Sequence, residues 1–420
     1  MGPLSQSETA SKSATASSAT VPSVFFALDM AQTAKKIGII GGGQLAWMMA
    51  SEAKNMGLSL SVQTPHQSDP AVALADHVVL GAVDDAKTTA RLATQCDVIS
   101  FENEFIDLPG LQALAGQGTQ FYPQLSCLAP LLDKYEQRLY CQQIGLPSPQ
   151  FVTLNSEADL SNLETCVASV GLPLALKTRR HGYDGQGTFI VHDLDTVRET
   201  WANLGYQPIL LEAFVPFERE LAIMVARSST GEIALYPVVE SQQIDQVCRR
   251  VIAPATVSQQ VQQQAIDIAT TLMTQLNVVG IFGIELFLTA DDRVLMNEIA
   301  PRTHNSGHYT LDACLISQFE QQLRAVSGLP LGSATMSCPQ AVMVNLLGFE
   351  ISTSDYGQQR AALSALPNAH LYWYGKGESR PGRKLGHVTV TCDRINSPNQ
   401  LNQLIQQIEA LWYPKGFDLK

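Results

Sequence analysis

No two cysteines in these 420 residues form a Cys-x-x-Cys pair. The eight present are scattered, which fits core thiols of a reducing, cytoplasmic compartment better than a disulfide framework or a zinc site. No uninterrupted apolar run reaches the length of a membrane span, so no membrane partner is expected. Positive charge is short as well. Lys and Arg number 27 against 39 Asp and Glu, and a formal charge of −12 argues against wholesale nucleic-acid binding. No arginine precedes Arg91, so residues 1–34, rich in Ser, Ala and Thr, read as a disordered extension rather than an arginine-bearing transit peptide. What the chain does have is 45% hydrophobic residues, enough for full cores, and a length that suits two or three domains.

Residues 36–122 alternate strand and helix. Strands are expected over 37–40, 58–63, 77–80 and 97–101, with a helix over 45–56, a pattern that argues for a parallel sheet covered on both faces. Ligands bind at the carboxyl ends of such strands. Glu102, Asn103 and Glu104 follow the fourth strand and read equally as site residues or as a polar loop. Prolines at 123, 130, 147 and 149 flank a helix over 133–144 that bridges to a second domain. Further strands are expected at 208–212, 221–226, 341–347, 370–374 and 387–391, and helices at 257–276, 316–326 and 399–412.

Gly41-Gly42-Gly43-Gln44-Leu45-Ala46 follows a strand and opens a helix, as in dinucleotide-binding loops. The second strand ends in Gln63-Thr64-Pro65, without the acid that would hold a ribose. The glycines therefore read as a phosphate cradle or merely a tight turn. Lys177-Thr178-Arg179-Arg180-His181-Gly182-Tyr183-Asp184-Gly185-Gln186-Gly187-Thr188 places a lysine at a strand end, then cations, then three spaced glycines. It reads as a flap over a triphosphate or as a glycine-rich hairpin, and it is not a Walker loop, since no Gly-Lys-Ser/Thr closes it.

The most informative stretch is residues 281–308. Two apolar runs flank a polar tip at Asp291-Asp292. If the tip is a two-residue turn, Glu285 sits opposite Glu298. Carboxylates paired across a ladder repel, and burial adds a desolvation cost. A divalent cation between them removes both problems, hard oxygen ligands suit magnesium, and Asn297 adds a third oxygen. A three-residue turn would instead move Glu298 to the other face. Arg302, His304, Asn305 and His308 follow at once, so a metal site flanked by anion-binding groups suggests phosphoryl chemistry. Arg380-Pro381-Gly382-Arg383-Lys384 concentrates three cations near a turn in an acidic chain.

These motifs resemble those of ATP-grasp enzymes, specifically the 5-(carboxyamino)imidazole ribonucleotide synthase family. The resemblance is carried by Gly-Gly-Gly-Gln-Leu at 41–45, Gly-Tyr-Asp-Gly-x-Gly at 182–187, the run from Asn297 to His308 and Arg-Pro-Gly-Arg-Lys at 380–384, and it covers residues 36–415. It implies an α/β and α+β architecture: a Rossmann-like pre-ATP-grasp domain at 35–125, an ATP-grasp domain at 126–332 and a small C-terminal domain at 333–420. It further implies an ATP-dependent ligase of purine biosynthesis that carboxylates 5-aminoimidazole ribonucleotide with bicarbonate, through carboxyphosphate, with Mg2+ or Mn2+ as cofactor and a homodimer as the expected assembly.

By the same resemblance, Lys134 and Lys177 contact ATP, residues Gly182, Tyr183, Asp184, Gly185, Gln186, Gly187 and Thr188 form the phosphate flap, and Glu212, Ala213, Phe214 and Val215 line the adenine. Glu220 holds the ribose, and Gln243 and Asn297 complete the nucleotide site. Glu285 and Glu298 hold the metal. Arg302, His304 and Asn305 cradle bicarbonate and carboxyphosphate. Gln44, Glu102, Tyr183, Asp184, Arg383 and Lys384 form the aminoimidazole ribonucleotide site, with Asp184 as a candidate base. The chain departs from the family where His181 replaces a flap glycine, where Gln243 replaces a nucleotide-contacting His, and at Ala46. Other readings compete with it: an oxidoreductase using the 41–46 loop, which leaves Glu285 and Glu298 unexplained, a non-catalytic nucleotide-binding regulator suggested by Gln243, and, within the superfamily, a formate-type glycinamide ribonucleotide formyl transferase or a biotin carboxylase, against which the Arg380–Lys384 run argues.

Overall fold

The computed structural model describes residues 1–2, 35–180, 182 and 187–414. The expectation for residues 1–34 thus lies almost wholly outside the described residues, as do His181 and the flap residues Tyr183, Asp184, Gly185 and Gln186. Residues from 35 onward form three sheets.

The first sheet has four parallel strands in the order His77–Leu80, Ser59–Thr64, Lys36–Ile40, Val98–Phe101. Ile37, Ile39 and Ile40 are fully buried, as a strand covered on both faces requires. Helix Gln44–Met56 packs Met48, Met49 and Ala53 into this core, and ends at Gly57 in the left-handed conformation.

The second sheet has four antiparallel strands in the order Phe151–Leu154, Ile209–Ala213, Leu174–Thr178, Thr188–Val191. The third and largest has nine strands. Its path runs Val294–Ala300, Gly280–Thr289, Phe217–Arg227, Val239–Ile244, Val247–Ala253, Gln340–Leu347, Lys384–Cys392, Ala369–Trp373, with Ile233–Leu235 paired to Phe217–Arg227. Strand Gln340–Leu347 bonds directly to Val247–Ala253, so the C-terminal strands continue the central sheet. Helix Gln259–Leu276 lies against this sheet. Its Val261, Ala265, Ile268, Leu272 and Leu276 recur at helical spacing and are buried with Phe282 and Ile284. Ser258 caps it by accepting from the Val261 N–H.

The hairpin tip corrects the sequence reading. The Thr289 N–H donates to the Arg293 carbonyl at 3.0 Å, so the loop is three residues, 290–292, with Asp292 left-handed at φ 60°. The ladder then pairs Leu288 with Val294, Phe287 with Leu295 and Leu286 with Met296. That register alone would turn Glu298 away from Glu285. A bulge intervenes: Asn297 is an extra residue, after which Glu285 faces Glu298 and Ile284 faces Ile299. The expected pairing exists because the bulge cancels the longer turn.

Candidate active site

A cleft of about 1220 Å3 opens between the second and third sheets and reaches the first. One face is built by neighbouring strands. Glu285 pairs with Ala222 and with Glu298, while Glu220 pairs with Phe287 and with Ser241. Glu298 thus lies directly opposite Glu285, and Glu220 shares their face two residues along the third strand from Ala222. Burial, then Glu298 and Glu220, push the Glu285 carboxyl up to about 8, with Lys134 and Lys384 pulling the other way. Burial would raise Glu298 too, but Lys134 at 2.8 Å, helped by Lys177 and His304, more than reverses it. Of the facing pair, Glu285 therefore carries the electrostatic penalty. Burial also raises Glu220, to about 7.

The facing jaw supplies cations. Lys177, at the end of strand Leu174–Thr178, lies 2.6 Å from Glu212 and donates to Asn297 Oδ1 at 3.4 Å. Glu212 is 2% exposed and also pairs with Arg138. Burial alone would raise its carboxyl, yet Arg138 and Lys177 hold it at about 2. The Glu212 side chain is thus committed to two cations, which leaves the main chain of residues 212–215 to face a ligand. Lys134 is the first residue of helix Lys134–Gln143, capped by Asp133, which also receives Arg179 at 2.9 Å and Arg180 at 3.4 Å. The basic run beside the flap is therefore anchored to the helix that carries Lys134.

The segment after Ala300 is fixed from several sides. Arg302 lies 3.0 Å from Glu104. His304 Nδ1 lies 2.9 Å from Ser306 Oγ and 3.4 Å from the Ser306 N–H, and Nε2 lies 3.5 Å from Glu285. Gln318, fully buried, accepts from the His304 N–H at 2.9 Å and donates to the His304 carbonyl at 2.8 Å. A side chain at Gly283 would collide with His304 Cβ at 2.4 Å, so only glycine lets this segment lie on the strand. Asn305 and Asn345 exchange amide hydrogen bonds at 3.0 and 2.7 Å, which ties the segment to a C-terminal strand.

The glycine loop differs from a phosphate cradle. The anion held there is the chain's own Glu102, which accepts from the N–H groups of Gly43 at 2.6 Å, Leu45 at 3.0 Å and Ala46 at 3.4 Å. A Cβ at Gly41 or Gly43 would strike its oxygens. Burial raises this carboxyl, against the pull of the three amides. Gln63 turns its amide to Ala82 and Thr89, so the end of the second strand offers a ribose no acid.

Of the residues expected at the site, Gln44, Glu102, Lys134, Lys177, Gly182, Thr188, Glu212, Ala213, Phe214, Val215, Glu220, Gln243, Glu285, Asn297, Glu298, Arg302, His304, Asn305 and Lys384 line the one cleft. Arg383 and Gly187 do not line it; the Arg383 guanidinium donates to the Glu378 carbonyl at 2.8 Å. The sequence reading missed Gln137, Arg138, Gln318 and Asn345, all buried polar side chains. The one available signal was their position inside otherwise apolar helix and strand patterns.

Residues 34–130 match the ribonucleotide synthetase preATP-grasp domain, residues 139–319 the ATP-grasp domain, and residues 341–400 the phosphoribosylaminoimidazole carboxylase C-terminal domain. The N5-carboxyaminoimidazole ribonucleotide synthase of Synechococcus elongatus is 52% identical over 379 residues, covering 90% of this chain and 95% of that one. The chain belongs to this synthase family. The Synechocystis synthase is likewise 52% identical, over 90% of this chain and 98% of that one. A crystal structure of the Aspergillus clavatus synthase in complex with ADP and 5-aminoimidazole ribonucleotide superposes with a TM-score of 0.82, at 31% identity over 90% of this chain and 99% of that chain. This synthase family member is thus an ATP-grasp ligase with a preATP-grasp domain before the ATP-grasp domain and a carboxylase C-terminal domain after it.

Proposed function

We propose that this chain uses ATP and bicarbonate to carboxylate the exocyclic amine of 5-aminoimidazole ribonucleotide, in purine biosynthesis, and that the cleft between the second and third sheets is where it does so. A bicarbonate oxygen attacks the γ-phosphorus and ADP leaves, forming carboxyphosphate. The amine nitrogen then bonds to the carboxyl carbon, directly or after release of carbon dioxide, while phosphate leaves and the amine loses a proton. The observation that carries this reading is the facing Glu285–Glu298 pair, with Arg302, His304 and Asn305 in the same cleft and Lys134 and Lys177 opposite.

Lys134 and Lys177 neutralise the ATP phosphates, residues 212–215 receive the adenine, and Glu220 and Gln243 complete the nucleoside pocket. Among the described residues no three His, Cys, Asp or Glu side chains make a metal site of their own. Glu285 and Glu298 nonetheless fit a hard cation, because burial and the facing Glu298 disfavour the Glu285 anion and push its carboxyl up to about 8, a penalty that a cation between them would relieve. Bound there with Asn297 as a further donor, Mg2+ or Mn2+ would neutralise charge on the phosphates. Arg302, His304 and Asn305 hold the bicarbonate and carboxyphosphate oxygens. Gln44, Glu102 and Lys384 receive the ribonucleotide, Asp184 takes the amine proton, and the flap keeps water from carboxyphosphate. The domain limits at 125 and 332 and the second copy in a homodimer belong to the same reading. Eight free thiols support a cytoplasmic setting.

ADP release measured with each substrate omitted in turn tests this. Release should need both bicarbonate and 5-aminoimidazole ribonucleotide for its full rate. ADP formation indifferent to both would overturn the assignment.

A further inference from the structure

Strand Val294–Ala300 is the outer edge of the nine-stranded sheet, so one side of it has no neighbouring strand. Helix Lys134–Gln143 lies along that side. Gln137 Oε1 accepts from the Ile299 N–H at 3.0 Å, and its Nε2 donates to the Ile299 carbonyl at 3.1 Å. This is the two-way pairing that a neighbouring strand would make. One residue on, Arg138 donates to the Met296 carbonyl at 3.3 Å. The two contacts bracket Asn297, the extra residue of the bulge, and both side chains are buried.

We propose that Gln137, with Arg138, clamps this bulge and thereby aims Asn297 and Glu298 into the cleft. The inference rests on the reading of Glu285 and Glu298 as cation ligands. A bulge in an edge strand is held by one ladder. The outer side here adds the Met296 N–H to the Pro147 carbonyl at 2.8 Å and the Val294 N–H to Gln264 Oε1 at 3.1 Å, neither of them beyond the bulge. If it slides by a residue, every side chain between its old and new positions changes face. The clamp fixes the main chain on both sides of Asn297, so the slide is blocked where it would carry Glu298 away from Glu285. Gln137 is a positioning residue, since its amide acts on the Ile299 main chain and through it on Glu298.

Gln321 provides the control. It makes the same two-way contact with the Gly332 main chain, at 2.8 and 2.9 Å, and does not line the cleft. Three full-length variants, Gln137→Leu, Gln321→Leu and Glu298→Gln, would be compared by hydrogen exchange over residues 294–300. Mn2+ binding with a non-hydrolysable ATP analogue would be followed by electron paramagnetic resonance. Gln137→Leu should speed exchange over 294–300 and weaken Mn2+ binding by about tenfold or more, while Gln321→Leu changes neither. Unchanged exchange in Gln137→Leu would overturn the clamp. So would faster exchange with normal Mn2+ binding when Glu298→Gln itself binds Mn2+ poorly. If Glu298→Gln binds Mn2+ normally, the cation assignment has failed and the clamp loses its role in metal binding, though exchange still tests whether it holds the strand.

Discussion

Lys177 and Arg138 share the Glu212 carboxylate, all three almost free of solvent contact. Glu212→Gln leaves two buried cations short of an anion, and should cost about 3–5 kcal/mol in urea unfolding. A larger rise in the KM for ATP than fall in kcat would place its effect on nucleotide binding through Lys177. Burial drives the His387 imidazole down to about 3 from 6.5, and His308, buried beside it, shifts the same way. Between those values the unfolded chain binds protons that the native fold refuses. Their contribution to stability is therefore complete above pH 6.5 and is lost as pH falls below it, towards 3 for His387, at up to about 1.4 kcal/mol per pH unit for each imidazole. Urea unfolding between pH 7 and 5 should show a shallower loss in His387→Gln; an unchanged slope would remove His387 as its source. Residues of this kind were the least legible in the sequence. Gln137, Gln318 and Asn345 are polar types that usually face water, and their partners lie 162, 14 and 40 positions away. Lys177 and Arg302 were easier, because charged residues at strand ends mark themselves, and so was Glu285, because a carboxylate inside an apolar run does the same.

At the scale of elements, the sequence pattern located the strands and helices well where apolar runs were long. Strand His77–Leu80 has the expected limits, and helix Gln259–Leu276 starts two residues late, after its Ser258 cap. The hairpin tip was misread because Asp291-Asp292 resembles a two-residue turn, whereas Asp292 alone adopts the left-handed conformation. That geometry gives a test. Asp292→Gly should be neutral or slightly stabilising, and Asp292→Val should lose about 1–2 kcal/mol in thermal unfolding. Equal effects of the two would mean that the turn is formed otherwise. The glycine loop was legible as a strand-to-helix turn, but its ligand was not. The acid that fills it follows the fourth strand and reaches the loop only when Lys36–Ile40 and Val98–Phe101 pair.

Across the whole molecule, the cleft draws on all three sheets; of the C-terminal strands, Lys384 lines it and Asn345 holds the lining residue Asn305 from behind. Asn345 also donates to the Cys248 carbonyl at 2.8 Å, so one amide joins the Asn305 segment to strand Val247–Ala253. Asn345→Leu should therefore lower kcat while the fold, followed by circular dichroism, persists. Normal turnover would show that Asn305 is held without it. The central and C-terminal regions looked separable in the sequence because a long connection divides them. Sheet pairing between Gln340–Leu347 and Val247–Ala253 is a non-local contact that no short-range pattern encodes.

The paired tip and bulge also constrain how this stretch can change by descent. Losing one residue from the three-residue tip, or losing Asn297, inverts the facing of Glu298. Losing both restores it. Single-residue insertions and deletions at these two places therefore invert the facing alone and cancel in register together, so that two sites a few codons apart act as one counting device for the parity of the strand, while loss of Asn297 itself also removes the partner of Lys177.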